Sequence, residues 1–289
     1  MQTRRHFISA ITAALGGSTF AADGKPKIIV LQSAWDTVNI GDIGHTPGTL
    51  RVLEQHLPEV KIVLWAMKLD ERVTTMLKAR FPKVTILQGN PLKNGEKDRV
   101  LQEAIKSCAL FIRNSGRGQD LGFMQFCRKH GRRYGLFGQS YFPNMVEGPG
   151  AEERIALLNG ASFIYTRETK TLDILKGAGV KAEFGPDGCF GIDVRDDVRG
   201  LATMKKLGLE ERKFITLQLR TNPAKLPGVD DTRTPKLNPL HPTPEQIADD
   251  ERRAAKYREL VTLWVKKTGH KVLIAPEVKK EMEHNKRLI

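Results

Sequence analysis

Cysteine is scarce: three in 289 residues, Cys108, Cys127 and Cys189, with no CxxC spacing. That excludes a disulfide scaffold and argues against a cysteine-based zinc module. Cys108 opens an apolar run and Cys127 sits in a helical pattern, so both read as small packing residues. Aromatic residues make up only 7% and do not alternate with basic ones, which argues against a nucleic-acid groove. No apolar run approaches the roughly 20 residues of a membrane span. There is no GxGxxG fingerprint in register, no Walker sequence and no GxSxG nucleophile elbow. No carboxylate pair stands out as a glycosidase set, and no His/Asp/Glu grouping has metal-ligand spacing. The expectation is therefore no metal and no bound cofactor. Negative charge is also short: 33 acidic residues face 47 basic ones, for a formal net charge of +14. Such a balance suits an anionic partner or a solubilising surface, and both readings stay open.

The chain opens with a paired Arg4-Arg5, then Phe7, an apolar stretch over 8–15 and small residues Ala21 and Ala22 before Asp23. That order is the layout of a twin-arginine secretory signal over 1–22. It predicts an exported or periplasmic protein whose mature chain starts near Asp23, with the leader outside the fold.

From Lys27 onward, short apolar runs at 28–31, 62–65, 84–87, 109–112, 134–137 and 163–165, and a weaker one at 182–184, read as buried strands. Helical spacing separates them at 49–57, 71–81, 97–107, 121–130, 152–158 and 169–178. Alternation of this kind predicts α/β architecture: a Rossmann-like parallel sheet over 25–193. A second part, over 205–289, shows strands at 214–219 and 272–275, helices at 244–268 and 277–288, and a long polar loop at 221–244. Two strands and two helices are too few for a doubly wound sheet, so this part reads as a partial Rossmann-like domain.

In parallel sheets, ligands bind beyond the carboxyl ends of the strands. The segment after the first strand, 35–49, holds Asn39, Gly41, Asp42 and His45 just ahead of a helix. Glycines there allow close backbone approach, and helix-start amides attract anions. Thr46 and Pro47 fit an N-cap followed by the first helical position. After the fourth strand, a polar turn carries Arg113, Asn114, Ser115, Gly116, Arg117, Gly118, Gln119 and Asp120, a composition suited to phosphate or carboxylate. Arg167-Glu168 follows the sixth strand, Pro186-Asp187-Gly188 the seventh, and Arg220 ends the first strand of the second part.

In this order, Asn39-Ile40-Gly41-Asp42, the turn over 115–120, Arg167-Glu168 with its downstream helix, and Pro186-Asp187 resemble the polysaccharide pyruvyl transferase family. The resemblance covers roughly 28–193 and is weaker beyond. It implies two Rossmann-like domains in a GT-B-like arrangement, phosphoenolpyruvate as an anionic small-molecule donor, and a glycan acceptor of the cell envelope or an exopolysaccharide. On that reading Arg113, Arg117, Arg167 and Arg220 address the donor's anion, with Asn39, Gly41, Ser115, Gln119 and Asp120 at the substrate. Asp42, His45 and Asp187 serve as proton or hydroxyl contacts. Two alternatives remain: an exported, non-catalytic anion- or glycan-binding protein, and a sugar-nucleotide glycosyltransferase of the same architecture.

Overall fold

The computed structural model describes residues 2–94, 98–117, 121–218 and 244–276. The chain divides into two compact units, Met1–Val194 and Arg195–Ile289. In the first, seven strands form one parallel sheet: β1 (Ile28–Ser33), β2 (Lys61–Ala66), β3 (Thr85–Gln88), β4 (Leu110–Arg117), β5 (Arg133–Ser140), β6 (Phe163–Thr166) and β7 (Glu183–Phe184). Their order is β3-β2-β1-β4-β5-β6-β7, so chain direction across the sheet reverses between β1 and β4. Every strand position of β5 after Arg133 is buried, which is why these runs read as continuous rather than alternating hydrophobics. The Rossmann-like parallel sheet expected from the sequence is present.

The helices are α1 (Gln2–Ala14), α2 (Ile40–His56), α3 (Glu71–Arg80), the single turn α4 (Pro91–Asn94), α5 (Arg99–Ser107), α6 (Gly122–Lys129), α7 (Ala151–Asn159) and α8 (Thr169–Gly177). They split the core in two. Leu50, Leu53, Val73 and Leu77 of α2 and α3 pack on one face of the sheet. Leu101, Ile105, Phe123, Met124, Leu157, Leu158 and Leu175 of α5 to α8 pack on the other. Crossovers of one hand impose this division: once the strand order reverses, every later helix lands on the opposite face. The first face therefore has no crossover helix over β5 and β6.

That gap is filled by α1, the segment expected to be a detached leader. Phe7 is 3% exposed and Ile11 is fully buried. The Phe7 ring stacks on Phe137 of β5 at 4.0 Å and meets Phe163 and Tyr165 of β6 edge-on, each at 5.8 Å. The helix end is finished as a structural helix end. Gly16 and Gly17 take positive φ and return hydrogen bonds to Ala13 and Thr12. Arg133 Nη1 donates to the Ala14 carbonyl at 2.6 Å, and Lys27 Nζ donates to that of Leu15. Cations thus meet carbonyls that have no partner within the helix.

Three elements differ from the sequence reading. First, α2 begins at Ile40, not after Pro47. Asn39 is the N-cap, its Oδ1 accepting from Gly41 N at 2.8 Å, and Pro47 lies inside the helix. Thr46 is no cap; its hydroxyl contacts Ser33 Oγ at 2.7 Å and accepts from Ala34 N at 2.9 Å. Second, β4 and β5 run on to Arg117 and Ser140, so Arg113 to Arg117 belong to a strand rather than a turn, with a register irregularity in β5 between Phe137 and Gln139. Third, a helix absent from the sequence reading, α9 (Asp197–Leu207), forms after the first unit, capped by the Asp196 side chain.

The second unit, by itself, holds α9, β8 (Phe214–Leu217), α10 (Pro244–Thr268) and β9 (Lys271–Ile274). β8 and β9 pair in parallel, from Phe214 opposite Lys271 to Leu217 opposite Ile274. Ala254 of α10 is fully buried, with Tyr257, Leu217 and Ile274 around it. Two parallel strands with a helix between them in sequence make a single βαβ unit. The expected loop over 221–244, apart from Pro244, which opens α10, and the expected helix over 277–288 lie outside the described residues. Among the described residues, no helix is long and apolar enough to cross a membrane.

Candidate functional site

The reversal of strand order between β1 and β4 opens the crevice that α/β sheets use for ligands. Its floor is a buried polar network centred on Asn114, which is fully buried at the β4 end. Asn114 Nδ2 donates to Ser33 Oγ at 3.0 Å and to the His45 carbonyl at 3.1 Å, while its Oδ1 accepts from Thr49 Oγ1 at 3.1 Å. One side chain thus ties β4 to β1 and α2. Asn39 and Gly41 build the helix cap, and Asp42 lies in the first turn, where a carboxylate suits the helix dipole.

Beyond Asn114 the β4 backbone is distorted. Ser115 adopts φ +54° and Gly116 φ +101°, facing Gly138 of β5 at φ +65°. A serine in the left-handed region is strained, and such strain collects at ligand sites. A Cβ on Gly138 would come 3.1 Å from Ser115 Oγ, so glycine leaves room for the hydroxyl. Gln139 repairs the ladder, its Nε2 donating to the Ser115 carbonyl at 2.6 Å. Two buried oxygens, Ser115 Oγ and Gln139 Oε1, hydrogen-bond to nothing among the described residues. Buried polar atoms without partners are costly, and a ligand's donor or acceptor would relieve that cost. Arg113, 5% exposed, lies between two rings, its guanidinium carbon 4.9 Å from the centre of Trp35 and 5.0 Å from that of Phe123. Trp35 Nε1 in turn donates to the Asn114 carbonyl at 2.9 Å.

The second cluster joins residues 142 positions apart in sequence. His45 Nδ1 lies 2.6 Å from Asp187 Oδ1. The other Asp187 oxygen accepts from Arg167 Nη1 at 3.0 Å, and Oδ1 also caps the Gly188–Gly191 3-10 turn through Cys189 N at 2.9 Å. Burial opposes the charge on Asp187, but hydrogen bonds from His45, Cys189 and Arg167 outweigh it and hold the carboxyl well below the usual range. A carboxylate kept ionised only accepts, so His45 Nδ1 carries the shared proton, and Nε2 is the ring nitrogen that Asp187 does not engage. Arg167 is anchored as well: its Nε donates to Ser140 Oγ at 2.9 Å, and Ser140 donates to Glu168 at 2.7 Å.

Packing holds this cluster against α2. A Cβ on Gly48 would sit 1.9 Å from the Gly188 carbonyl, and one on Gly191 would sit 2.3 Å from the Gly48 carbonyl. Only glycines permit backbones this close. Salt bridges from Arg51 (3.1 Å) and Arg80 (2.7 Å) to Asp193 fasten the downstream end.

Of the residues singled out in the sequence, the fold gathers Asn39, Gly41, Asp42, His45, Arg113, Ser115, Arg167 and Asp187 at or beside the carboxyl edge of the sheet. Arg117 ends β4. Gln119, Asp120 and Arg220 lie outside the described residues. Sequence reasoning placed Asn114 and Ser140 among the polar groups at this edge without giving either a role, and gave none to Trp35 or Cys189. The tryptophan that opens segment 35–49 was the available signal for the first of these; nothing local marked Cys189.

A doubly wound parallel sheet with an arginine, a carboxylate–histidine pair and a strained polar strand end at its switch point defines an α/β protein with a candidate ligand site there. The family model for polysaccharide pyruvyl transferase matches residues 39–289, and the chain belongs to that family. No curated protein sequence matches it. Among solved structures, Anabaena HepE in complex with UDP is similar over 86% of this chain and 69% of its own, at 11% identity and TM-score 0.41. UDP-N-acetylglucosamine 2-epimerase from Rickettsia bellii is similar over 91% and 64%, at 9% identity and TM-score 0.42. An alpha-glucosyltransferase in complex with UDP and a 13-mer DNA is similar over 90% and 58%, at 13% identity and TM-score 0.41. The chain thus spans less than two thirds of the length of the last two.

Proposed function

We propose that this chain is an exported pyruvyl transferase that takes phosphoenolpyruvate as donor and forms a ketal on the hydroxyls of a cell-envelope glycan. The observation that carries the reading is the His45–Asp187 pair at 2.6 Å, braced by Arg167, at the switch-point crevice. Family membership supports the reaction class; the arginine pair at 4–5 ahead of an apolar run would serve export only if α1 left the sheet face it covers.

The chemistry asks for few groups. The donor's vinyl CH2 carbon gains a proton, positive charge develops at the adjacent carbon, and a sugar hydroxyl adds there as it gives up its own proton. A second hydroxyl of the same sugar then displaces phosphate and closes the ketal. His45 Nε2 is suited to move those protons, with Asp187 holding the ring and stabilising its charged form. Arg113, desolvated between two rings, pairs with the donor's phosphate or carboxylate, since a guanidinium binds either through two parallel hydrogen bonds. Ser115 Oγ supplies one further contact. Arg167 acts mainly through Asp187 rather than as a free anion clamp, which moves the centre of donor binding to Arg113.

Calorimetric titration of the chain with phosphoenolpyruvate, with UDP-sugars as the comparison, tests this. Phosphoenolpyruvate binding that Arg113→Ala weakens at least about tenfold, and His45→Gln leaves intact while ending turnover, is the expected result. Binding of a UDP-sugar in place of phosphoenolpyruvate would move the chain to sugar transfer. Binding of phosphoenolpyruvate and glycan without turnover would make it a binding protein.

A further inference from the structure

Cys189 lies in a cluster with a histidine and a carboxylate. Its Sγ lies 3.3 Å from His45 Nδ1, and His45 Nδ1, Asp187 Oδ1 and Cys189 Sγ all lie within 4.8 Å of one another. Two chemistries use Cys, His and Asp together, and the geometry separates them. A nucleophilic relay needs the thiol on one ring nitrogen and the carboxylate on the other. Here both approach the same nitrogen, Nδ1, so no relay exists. Three unlike donor atoms converging on one point is instead what a cation requires.

We propose that His45 Nδ1, Asp187 Oδ1 and Cys189 Sγ form a binding site for a thiophilic divalent cation of the zinc type. The donor set, one thiolate, one imidazole and one carboxylate, matches that ion's preference and leaves a fourth position open. Metal–ligand lengths of about 2.0–2.3 Å in a tetrahedron separate ligand atoms by about 3.3–3.6 Å. The sulfur–nitrogen distance already fits, and the nitrogen–oxygen distance needs to open by about 0.7 Å, a small turn of the imidazole. The surroundings are those of a supported site. Arg167 holds the carboxylate oxygen that does not ligate, the Cys189 amide fixes the one that does, and α2 fixes His45. Gly44 leaves room for the sulfur: a Cβ there would come within 3.1 Å of Sγ. Cys189 is only half-buried, which gives an entry path.

The balance is simple. The cation takes Nδ1 and Oδ1 as ligands, the imidazole's one proton moves from Nδ1 to Nε2, and the thiol gives up its own to solvent. Binding therefore releases the thiol proton and strengthens as pH rises. This site shares His45 and Asp187 with the proposed reaction but does not depend on it: a bound cation removes Asp187 from the imidazole and so inhibits any chemistry that uses the pair.

The test is titration of the full chain with Co2+, followed by displacement with Zn2+. A one-to-one near-ultraviolet thiolate-to-cobalt band in the native chain, lost in Cys189→Ser and in His45→Gln, is expected. In parallel, Zn2+ should slow alkylation of Cys189 in the unmutated chain at least about tenfold, read by peptide mass spectrometry. That second measurement needs no variant to fold. No thiolate band, an equal band in Cys189→Ser, or unprotected Cys189 each overturns the proposal. A failure of phosphoenolpyruvate to bind would leave the cobalt result untouched, so the two readings fail separately.

Discussion

Replacing Phe7 with alanine asks whether α1 belongs to the folded core. The ring is 3% exposed, stacked on Phe137 and flanked edge-on by Phe163 and Tyr165. Truncating a buried phenylalanine to alanine costs about 3–5 kcal/mol, which includes about 0.5–1.5 kcal/mol for a well-placed ring pair. The surroundings close poorly over such a gap, because the Phe137, Phe163 and Tyr165 rings stand on strands that cannot shift independently. The measurement is urea unfolding followed by tryptophan fluorescence in a Trp264→Phe background. Trp35 and Trp65, both in the first unit, then report on the sheet α1 covers. The expected result is a midpoint lowered by the equivalent of about 3–5 kcal/mol with little change in slope. A loss under about 0.5 kcal/mol, the size of a surface substitution, would refute the packing argument and return 1–22 to the status of a detached leader.

Gly48→Ala should destabilise by about 1–3 kcal/mol and weaken donor binding together, since its Cβ meets the Gly188 carbonyl at 1.9 Å; thermal melting beside calorimetry checks both. Ser115→Gly should do the opposite to stability, raising it by up to about 1 kcal/mol as the strain at φ +54° is relieved, while donor affinity falls with the lost hydroxyl. Asp193 is held below the usual carboxylate range, chiefly by hydrogen bonding to Arg80. Its folded pKa is thus below its unfolded one, so its contribution is complete above about pH 4 and fades as pH falls further. Asp193→Asn should therefore flatten the acid limb of a melting-temperature profile, and an unchanged limb would contradict the assignment.

The repeated strand and helix pattern was legible because buried parallel strands are short, apolar and spaced by crossover helices. The extents of α2 and β4 were not. Thr46-Pro47 imitates a helix start, yet Asn39 caps the chain seven residues earlier and tertiary contacts carry the helix through the proline. Arg113 to Arg117 look like a turn in composition; pairing with β5 keeps them in the sheet, with the distortion absorbed at Ser115, Gly116 and Gly138. His45 and Asp187 were visible as polar residues after strands, but their pairing, and the arrival of Cys189 beside them, depends on a return of the chain to α2 that no local pattern encodes. The packing of α1 was hidden for another reason. An apolar run behind two arginines is equally good as an export signal and as a covering helix, and only the bare face above β5 and β6 distinguishes the two.

The glycine contact between Gly48 and Gly188 bears on how the crevice can move. With two backbones touching and no side chain between them, the Gly185–Gly191 segment cannot lift away from α2 without breaking contacts along its length. It is a fixed wall, not a flap. His45, Asp187 and Arg167 are set in place by that wall, held by one another's hydrogen bonds rather than by a mobile loop. Motion at the carboxyl edge of the sheet is then left to segments that make no such backbone contact.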